Sequence, residues 1–244
     1  MKLIEKILVA TDFSQSSGHA VQTAQALAKA FGSEIILIHV IPTVPDSLVN
    51  LRTVRIGIRE RLYDLSQKLA KAGIRAVESV VEGGVAFDQI IQVSVRLDVN
   101  VIVVGAGDQA EPGAGRLGVT AERLVRKACK PVWVVKAGAA PVFKRVLCAV
   151  DFSDSSRRAL ANAVHLARTF QAEFAVLHVA ESLPELYAVH AVVAAEAQSK
   201  YRRQERREFD AFLKDFDFTD VIWTKAVRQG GAHQEILKFV REWS

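Results

Sequence analysis

The sequence is poor in cysteine and has no long apolar run. Its two cysteines, Cys129 and Cys148, form neither a Cys-x-x-Cys pair nor a set with metal-ligand spacing, and this usage favours a reducing, cytoplasmic location. Apolar runs such as 101–104 and 132–135 have the length of a strand, whereas a membrane-spanning helix needs about 20 apolar residues. The first residues also lack the apolar core of a signal peptide. We therefore expect a cytoplasmic protein without a membrane segment.

Several catalytic and nucleic-acid signatures are missing as well. The chain has no Walker-type Gly-x4-Gly-Lys-Ser/Thr motif and no Ser-His-Asp or paired-carboxylate arrangement that would suggest catalysis. Its net charge of +5 is mild, and the densest basic run, 200–207, is followed by acidic residues. We interpret that run as a solvated helix face, with a partner surface as the alternative, and expect no binding to nucleic acid. Nothing here requires an enzyme, and no metal site is predicted.

What the sequence does contain is an internal repeat. The segment 7–14, Ile-Leu-Val-Ala-Thr-Asp-Phe-Ser, returns as 146–153, Val-Leu-Cys-Ala-Val-Asp-Phe-Ser, at an offset of 139 residues. Further on, Gly84–Ile90 returns as Gly230–Ile236 at an offset of 146. The second copy has therefore gained seven residues, which we expect in its long helix, 186–216.

The repeat predicts two domains with one fold. Domain 1 is expected at 1–137, a linker at 138–143 and domain 2 at 144–244. In the first copy the hydrophobic periodicity alternates between strand and helix, with strands at 7–10, 34–40, 75–81, 101–104 and 132–135 and helices at 14–30, 50–72, 87–97 and 121–128. This alternation predicts an α/β fold, a doubly wound unit whose parallel five-stranded sheet has helices on both faces.

The second copy is predicted to be incomplete. When the copies are aligned on Ile90 and Ile236, Ser244 falls opposite Asp98, so strands 4 and 5 have no counterpart. Three explanations stay open, of which the first is favoured. The chain is a fragment, another chain completes the unit, or an adapted helix covers the exposed edge.

Candidate binding residues fall at the carboxyl ends of the predicted strands. Asp12 closes the first strand, and a glycine-rich loop, 105–118, follows the fourth and runs into a helix. Ligands of open parallel sheets bind at these ends, and amides freed by glycine at a helix N-terminus suit a phosphate. Arg116 would add a cationic contact. The alternatives are that the loop is a flexible connection and that Asp12 and Asp151 each cap the following helix.

Together these segments carry a specific family resemblance. The Asp-Phe-Ser after the first strand, Val-Ile-Val-Val-Gly at 101–105 and Gly-x-x-Ala-Glu-Arg-Leu-Val-Arg-Lys-Ala-Cys-Lys-Pro-Val-Trp-Val-Val at 118–135 resemble a tandem universal stress protein. The resemblance implies a Rossmann-like sheet of strand order 3-2-1-4-5 and a homodimer or a pairing of the two units. It also implies a regulatory role in the stress response, with ATP or another adenine nucleotide as ligand and magnesium only with ATP.

The ATP-binding pattern of that family, Gly-x2-Gly-x9-Gly-Ser/Thr, is met at two of its four positions. Gly105 and Gly118 match, but Asp108 and Val119 stand where a glycine and a hydroxyl residue are expected. Asp108 would place a negative charge beside an anionic ligand, and a like-charge contact at about 4 Å costs on the order of 4 kcal/mol at an effective dielectric near 20. The hydroxyl that is missing at Val119 would be supplied by the neighbouring Thr120. The resemblance implies these nucleotide-binding residues: Thr11, Asp12, Val40, Gly105, Asp108, Gly115, Arg116, Gly118, Val119 and Thr120, with Asp151 and Val179 as vestigial equivalents.

Three functions therefore stay open. The first is a regulatory module whose cleft senses an adenine nucleotide. The second is a slow ATP hydrolase, for which Asp108 is the candidate base or metal ligand. The third is a nucleotide-free dimeric scaffold that acts through protein partners.

Overall fold

The structure, a computed structural model, describes residues 4–43, 50–75, 77–107, 117–180 and 191–243, with only the backbone described at 77 and 191–197. The predicted site residues Asp108, Gly115 and Arg116 lie outside the described residues, as do 186–190 of the predicted long helix. The chain divides into two compact units, Met1–Val142 and Phe143–Ser244, termed unit 1 and unit 2.

Unit 1 alternates strictly between strand and helix. Its elements are β1 (Lys6–Ala10), α1 (Gln15–Phe31), β2 (Glu34–Ile41), α2 (Leu51–Lys71), β3 (Val77–Gly83), α3 (Ala86–Arg96), β4 (Val101–Gly105), α4 (Val119–Lys127) and β5 (Val132–Val135). The five strands are parallel and lie in the order β3-β2-β1-β4-β5. The predicted five-stranded parallel sheet and its strand order are confirmed.

Two elements of unit 1 begin two residues away from their predicted starts. β3 begins at Val77 rather than at 75, because residues 72–74 still donate their N–H groups to carbonyls in the last turn of α2. Gly73 adopts a left-handed φ of 88°, and the Ile74 N–H donates back to the Leu69 carbonyl. At the other end, α4 begins two residues before its predicted start, so Val119 belongs to its first turn.

The core of unit 1 lies on both faces of the sheet. Three consecutive residues of β1, Ile7, Leu8 and Val9, are fully buried. Because neighbouring side chains in a strand point to opposite faces, both faces of β1 must be covered. One face packs on α3 and α4 in a cluster made of Leu8, Ala10, Ile36, Ile38, Ile90, Val93, Val99, Ile102, Val104, Ala121 and Leu124.

Unit 2 repeats the beginning of this pattern. Its elements are β6 (Arg145–Val150), α5 (Asp154–Phe170), β7 (Glu173–Ala180), α6 (Ala191–Leu213), β8 (Trp223–Gln229) and α7 (Ala232–Glu242). The three strands are parallel and lie in the order β6-β7-β8. The prediction of a smaller second sheet is confirmed for the residues the structure describes. None of the described helices is long and apolar enough to cross a membrane.

Only part of the insertion in unit 2 falls in the helix for which it was predicted. The described α6 has 23 residues and α2 has 21, and α6 ends at Leu213 instead of reaching 216. Nine residues, 214–222, join α6 to β8, whereas five, 72–76, join α2 to β3. Most of the insertion therefore lies in this connection. Its Phe218 ring stacks on Trp223 at 4.0 Å, so the insertion adds aromatic packing to unit 2.

Candidate functional site

A cleft in unit 1 lies at the carboxyl ends of β1, β2 and β4. Its walls also include the first residues of α1, α3 and α4, and the full lining is Ala10, Thr11, Asp12, Ser14, Ser16, Ser17, Ile38, Val40, Ala86, Ile90, Val104, Gly105, Gly107, Gly118, Val119, Thr120 and Ala121. All the described residues that the sequence assigned to nucleotide binding in the first copy line this cleft. Within the described part of the chain, no group of three or more His, Cys, Asp or Glu side chains is placed to hold a metal ion.

Asp12 lines the cleft but does not cap α1. The N-cap is Ser14, whose side chain accepts the Ser17 N–H, while Asp12 Oδ1 accepts the Ser14 N–H at 3.0 Å. In unit 2 Ser153 is likewise the cap of α5 and donates its N–H to Asp151 Oδ1. The capping alternative for the two aspartates is therefore wrong, because each carboxylate instead fixes the turn that presents the capping serine.

These contacts also keep the cleft carboxylate charged. Burial raises the pKa of Asp12, but hydrogen bonds from Ser14 and Ser17 outweigh it, and the pKa lies below the ordinary value. Hydrogen bonds from the Ser153 side chain and from Ser156 likewise lower the pKa of Asp151. At neutral pH both carboxylates are acceptors for a donor in the ligand.

Beside the cleft, Phe13 adopts an unusual backbone conformation. Its φ of 63° lies in the left-handed region, which an aromatic residue occupies only under local constraint. The ring stacks on His39 at 5.0 Å, and the Arg61 guanidinium lies over it at 3.9 Å. His39 Nδ1 lies 2.8 Å from the Thr11 carbonyl and donates to it. This aromatic support was not predicted, although the repeated Asp-Phe-Ser was its signal.

The glycine-rich loop begins in close contact with α1, and its described end packs on that beginning. A Cβ at Gly105 would lie 2.5 Å from Ser16 Oγ, and a Cβ at Gly118 would lie 3.1 Å from the Ala106 carbonyl oxygen. Gly107, at a φ of 101°, donates its N–H to Ser16 Oγ at 3.0 Å. Ser16 is 2% exposed and ties the beginning of the loop to the first helix, whereas Gly118 at the other end donates its N–H to the Ala106 carbonyl. Sequence reasoning did not single out Ser16, and at these ends the flexible-connection alternative does not hold.

The N-terminus of α4 points its first turn towards the same cleft. Its cap, Gly118, makes no side-chain capping hydrogen bond, so the amides of the first turn are available to a ligand and carry the positive end of the helix dipole. Val119 is 65% exposed, whereas Thr120 is partly buried in the cleft wall. The hydroxyl nearest to the family position is therefore that of Thr120.

The equivalent cleft of unit 2 is less enclosed. Asp151 and Val179 line it together with Ser153, Ser155 and residues at the start of α7. Among the described residues, no loop or helix N-terminus corresponds to 105–118 of unit 1. Ser155, the counterpart of Ser16, is exposed, because it has no loop to hold.

Unit 2 instead carries a buried His–Glu pair beside its cleft. His178 Nδ1 lies 2.9 Å from the Val150 carbonyl, and its Nε2 lies 2.7 Å from Glu205 Oε2. The histidine ring stacks on Phe152 at 4.2 Å. Glu205 belongs to the basic run 200–207, so the interpretation of that run as a solvated face is wrong at this residue and at the partly buried Tyr201.

Comparison with known proteins gives one consistent family. A sequence profile of the universal stress protein family matches residues 4–136 and 143–244. Universal stress protein MJ0577 of Methanocaldococcus jannaschii is 22% identical over 156 residues, which is 55% of this chain and 96% of the relative. Universal stress protein MJ0531 of the same organism is 28% identical over 145 residues, 55% of this chain and 83% of the relative.

The solved structures agree on the fold over both units. The crystal structure of a universal stress protein from Archaeoglobus fulgidus superposes with a TM-score of 0.71 at 22% identity, covering 97% of this chain and 83% of that protein. A structure from Pseudomonas aeruginosa gives a TM-score of 0.69 at 18% identity, covering 98% and 79%.

Proposed function

Since this chain belongs to the universal stress protein family, we propose that it is a cytoplasmic regulatory module of the stress response whose unit 1 binds an adenine nucleotide. One observation carries the proposal. A charged carboxylate, apolar walls and an uncapped helix N-terminus converge in one cleft at the carboxyl ends of the parallel strands. This is the place and the chemistry that a nucleotide needs in an open α/β sheet.

The adenosine part would occupy the end formed by β1 and β2. Ile38 and Val40 supply apolar walls there, and Asp12 stands at the rim as an ionised acceptor. A carboxylate of lowered pKa accepts hydrogen bonds from ribose hydroxyls without first losing a proton. Thr11 is buried, with its hydroxyl 3.1 Å from Ser17 Oγ, so its role is to hold the shape of this end.

The phosphates would occupy the end formed by β4 and α4. The missing side chains at Gly107 and Gly118 let the two ends of the loop pack closely on each other, beside the first turn of α4, whose amides would bind the phosphates. In this arrangement Thr120 takes the role that the family gives to the residue at Val119. Magnesium would accompany ATP only.

Occupancy would act by changing contacts with a partner, either a second copy of the chain or another protein. A ligand shifts such an equilibrium only by its differential affinity for the two states. The beginning of the loop, at Gly105 and Gly107, is the element most directly biased, since it lines the cleft and contacts Ser16 of α1.

Thermal unfolding of the full chain with ATP, with AMP and without ligand, each with and without magnesium, tests the proposal. A ligand at 100 times its Kd stabilises the folded state by about 2.7 kcal/mol, which should raise the melting temperature of unit 1. Thr120→Val should remove most of the shift. Val125→Thr, on the exposed side of α4 and outside the cleft lining, is the control and should leave the shift unchanged.

The alternatives give different results. No shift with any nucleotide at millimolar concentration overturns the proposal and favours the scaffold. Magnesium-dependent ATP turnover that Asp108→Ala abolishes would instead show a slow hydrolase.

A further inference from the structure

The basic run of α6 forms a cationic surface whose charge is not balanced by its described neighbours. Its five cationic residues are all exposed, and they are Lys200, Arg202, Arg203, Arg206 and Arg207. Within the described part of the chain none of them pairs with a carboxylate. Other arginines of unit 2 each form an ion pair with an Asp or a Glu, namely Arg145, Arg157, Arg168 and Arg228. The surface on α6 therefore differs from the rest of the unit in its excess of positive charge.

The carboxylates of the same helix are engaged by other groups. Glu205 contacts the buried histidine of β7. Glu208 accepts a hydrogen bond from a glutamine of its own helix, and Asp210 pairs with a lysine of β8. Each acidic side chain that is described on α6 therefore has a partner other than the five cations, which leaves those cations to solvent or to a ligand.

The spacing of the arginines makes this surface unfavourable for the unliganded helix. Arg202 precedes Arg206 by four residues, and a second arginine pair, 203 and 207, has the same spacing. Like charges four residues apart are neighbours on a helix and destabilise it. α4 shows the opposite arrangement, because Arg126 there pairs with Glu122 at the same spacing. A bound anion would relieve the repulsion on α6.

Three of the arginines line one concave surface. Its described lining consists of Gln198, Ser199, Arg202, Arg203 and Arg206. Each of these side chains carries a hydrogen-bond donor, and none of them is a carboxylate or an aromatic ring. Such a set of donors suits a ligand that is rich in acceptor oxygens, and it offers no aromatic ring on which a nucleobase could stack.

Arg202 is held in place by the neighbouring strand. Its Nε donates to Gln229 Oε1 of β8 at 2.8 Å, and the two terminal amino groups of the guanidinium stay available to a ligand. These two groups form a planar fork that matches two oxygens of a phosphate. Gln229 Nε2 is buried and has no hydrogen-bond partner among the described residues, so a further donor lies beside this arginine.

We propose that this surface of α6 binds a small polyphosphate anion, with one phosphate group held among Arg202, Arg203 and Arg206. Three guanidinium groups on one concave surface balance the charge of a phosphate better than that of a single carboxylate. Lys200 and Arg207 lie three and four residues from Arg203 and therefore flank it on the helix, where they would contact a further phosphate group. This inference concerns unit 2 and does not depend on nucleotide binding in unit 1.

The extent of the surface fits a short anion. At a rise of about 1.5 Å per residue, the three lining arginines span about 6 Å of helix and all five cations span about 10 Å. A longer polyanion would run past the cations onto Glu208 and Asp210, which follow them in the helix. A chain of a few phosphate groups therefore fits the surface better than an extended nucleic acid strand.

Thermal unfolding of the full chain with inorganic tripolyphosphate tests the site. In a Trp133→Phe background the tryptophan fluorescence comes from Trp223 and Trp243, so it follows unit 2. At about 0.15 M ionic strength, where distant charges are screened, we expect the melting temperature of unit 2 to rise with the anion concentration. This dependence gives an apparent Kd. A thymidine oligonucleotide is the second probe and should bind more weakly.

Arg203→Gln combined with Arg206→Gln is the decisive variant. Both side chains are exposed, so the fold should be retained while the affinity for tripolyphosphate falls at least tenfold. The matched control, Arg158→Gln combined with Arg241→Gln, removes the same charge from exposed positions of unit 2 outside the site and should weaken binding less than threefold. Replacing residues 203 and 206 by lysine keeps the charge but removes the planar forks, and it should weaken binding at least threefold.

Three results would overturn the proposal. The first is an unchanged melting temperature of unit 2 with tripolyphosphate, a measurement that needs no variant in the site. The second is an equal loss of affinity in the glutamine variant and its control, or full affinity in the lysine variant, because the attraction would then be diffuse. The third is tighter binding of the oligonucleotide than of tripolyphosphate, because the surface would then be a nucleic-acid interface.

Discussion

β1 and β6 have closely similar sequences and opposite surroundings. Ile-Leu-Val-Ala in β1 is buried between two strands and two layers of helices, and Val-Leu-Cys-Ala in β6 lies at the edge of its sheet. The apolar character of such a strand therefore does not report its burial in this chain. Such a strand is fully buried only where strands on both sides and helices on both faces cover it, as they cover β1.

The two histidines near the carboxyl ends of the second strands also differ between the units. His39 and His178 both donate to a backbone carbonyl and stack on the phenylalanine of Asp-Phe-Ser. Unit 1 adds a cation, Arg61, over the phenylalanine ring. Unit 2 adds an anion, Glu205, on the histidine itself. The phenylalanine–histidine stack therefore lies beside a cation in unit 1 and beside an anion in unit 2. We expect substitution of Arg61 and substitution of Glu205 to have different effects on the two units.

The largest contrast should come from the glycine at the end of β4. Gly105→Ala would place a Cβ 2.5 Å from Ser16 Oγ and 2.7 Å from the Ser16 backbone, and such overpacking should destabilise unit 1 by about 3 kcal/mol. Gly57→Ala in α2 meets nothing within 4 Å and should stabilise unit 1 by up to about 1 kcal/mol. Urea unfolding followed through Trp133, with Trp223 and Trp243 replaced by phenylalanine, reads unit 1 alone. Equal stabilities for the two variants would contradict the packing at Gly105.

The next largest effect is expected at the pair formed by the buried His178 and the partly buried Glu205 in unit 2. Glu205→Ala leaves the buried His178 Nε2 without its partner and should cost unit 2 about 2 kcal/mol. Glu205→Gln keeps an acceptor oxygen and should cost clearly less. The measurement is urea unfolding of a Trp133→Phe background, in which only unit 2 fluoresces. A loss that is the same for alanine and glutamine would mean that the hydrogen bond contributes nothing.

A smaller difference in stability is expected between substitutions of the equivalent serines, Ser16 in unit 1 and Ser155 in unit 2. Ser16→Ala removes the acceptor of the Gly107 N–H and should destabilise unit 1 by about 1 kcal/mol. Ser155→Ala changes an exposed side chain and should alter unit 2 by less than about 0.5 kcal/mol. The same tryptophan backgrounds measure both. If the two substitutions cost the same, Ser16 does not hold the loop.

The smallest effect is in the pH dependence. The pKa values of Asp12 and Asp151 are lowered in the folded chain, so each carboxylate stabilises its unit above the unfolded pKa of about 3.9. That contribution is lost as the pH falls through the folded pKa. Asp12→Asn should flatten the acid destabilisation of unit 1 only, and Asp151→Asn that of unit 2 only, in thermal unfolding between pH 5 and pH 2. Unchanged acid slopes in both variants would contradict these hydrogen bonds.

The sequence predicted the five strands and the location of the cleft because both follow from strongly periodic segments, whereas the strand order came from the family resemblance. The buried run Ile7–Val9 and the glycine loop after Val101–Val104 can be placed without knowing any contact. The start of β3 was misplaced for a local reason. Gly73 and Ile74 look like a turn followed by a strand, but their backbone completes the end of α2.

Other features depended on contacts between distant segments. Glu205 sits among arginines, and only the fold brings it to His178, which is 27 residues away. In the sequence Ser16 is one of several serines in Ser14–Ser17. Its role became visible only in the fold, where it accepts the N–H of Gly107, which lies 91 residues further along the chain. The insertion was assigned to the helix because whole turns preserve an apolar face. In the structure most of the insertion forms the connection 214–222, whose Phe218 packs on Trp223 of β8.

The order of strands also has a kinetic consequence. Every strand pairing in the sheet of unit 2 joins strands that follow each other in the chain, β6 with β7 and β7 with β8. Unit 1 must in addition bring Ile7 together with Val101, across three helical crossovers, before its central strand is enclosed. Closing long loops costs entropy before any contact is gained, and folding slows as contacts become less local. We therefore expect unit 2, the smaller unit, to refold faster than unit 1 when both are diluted together from denaturant.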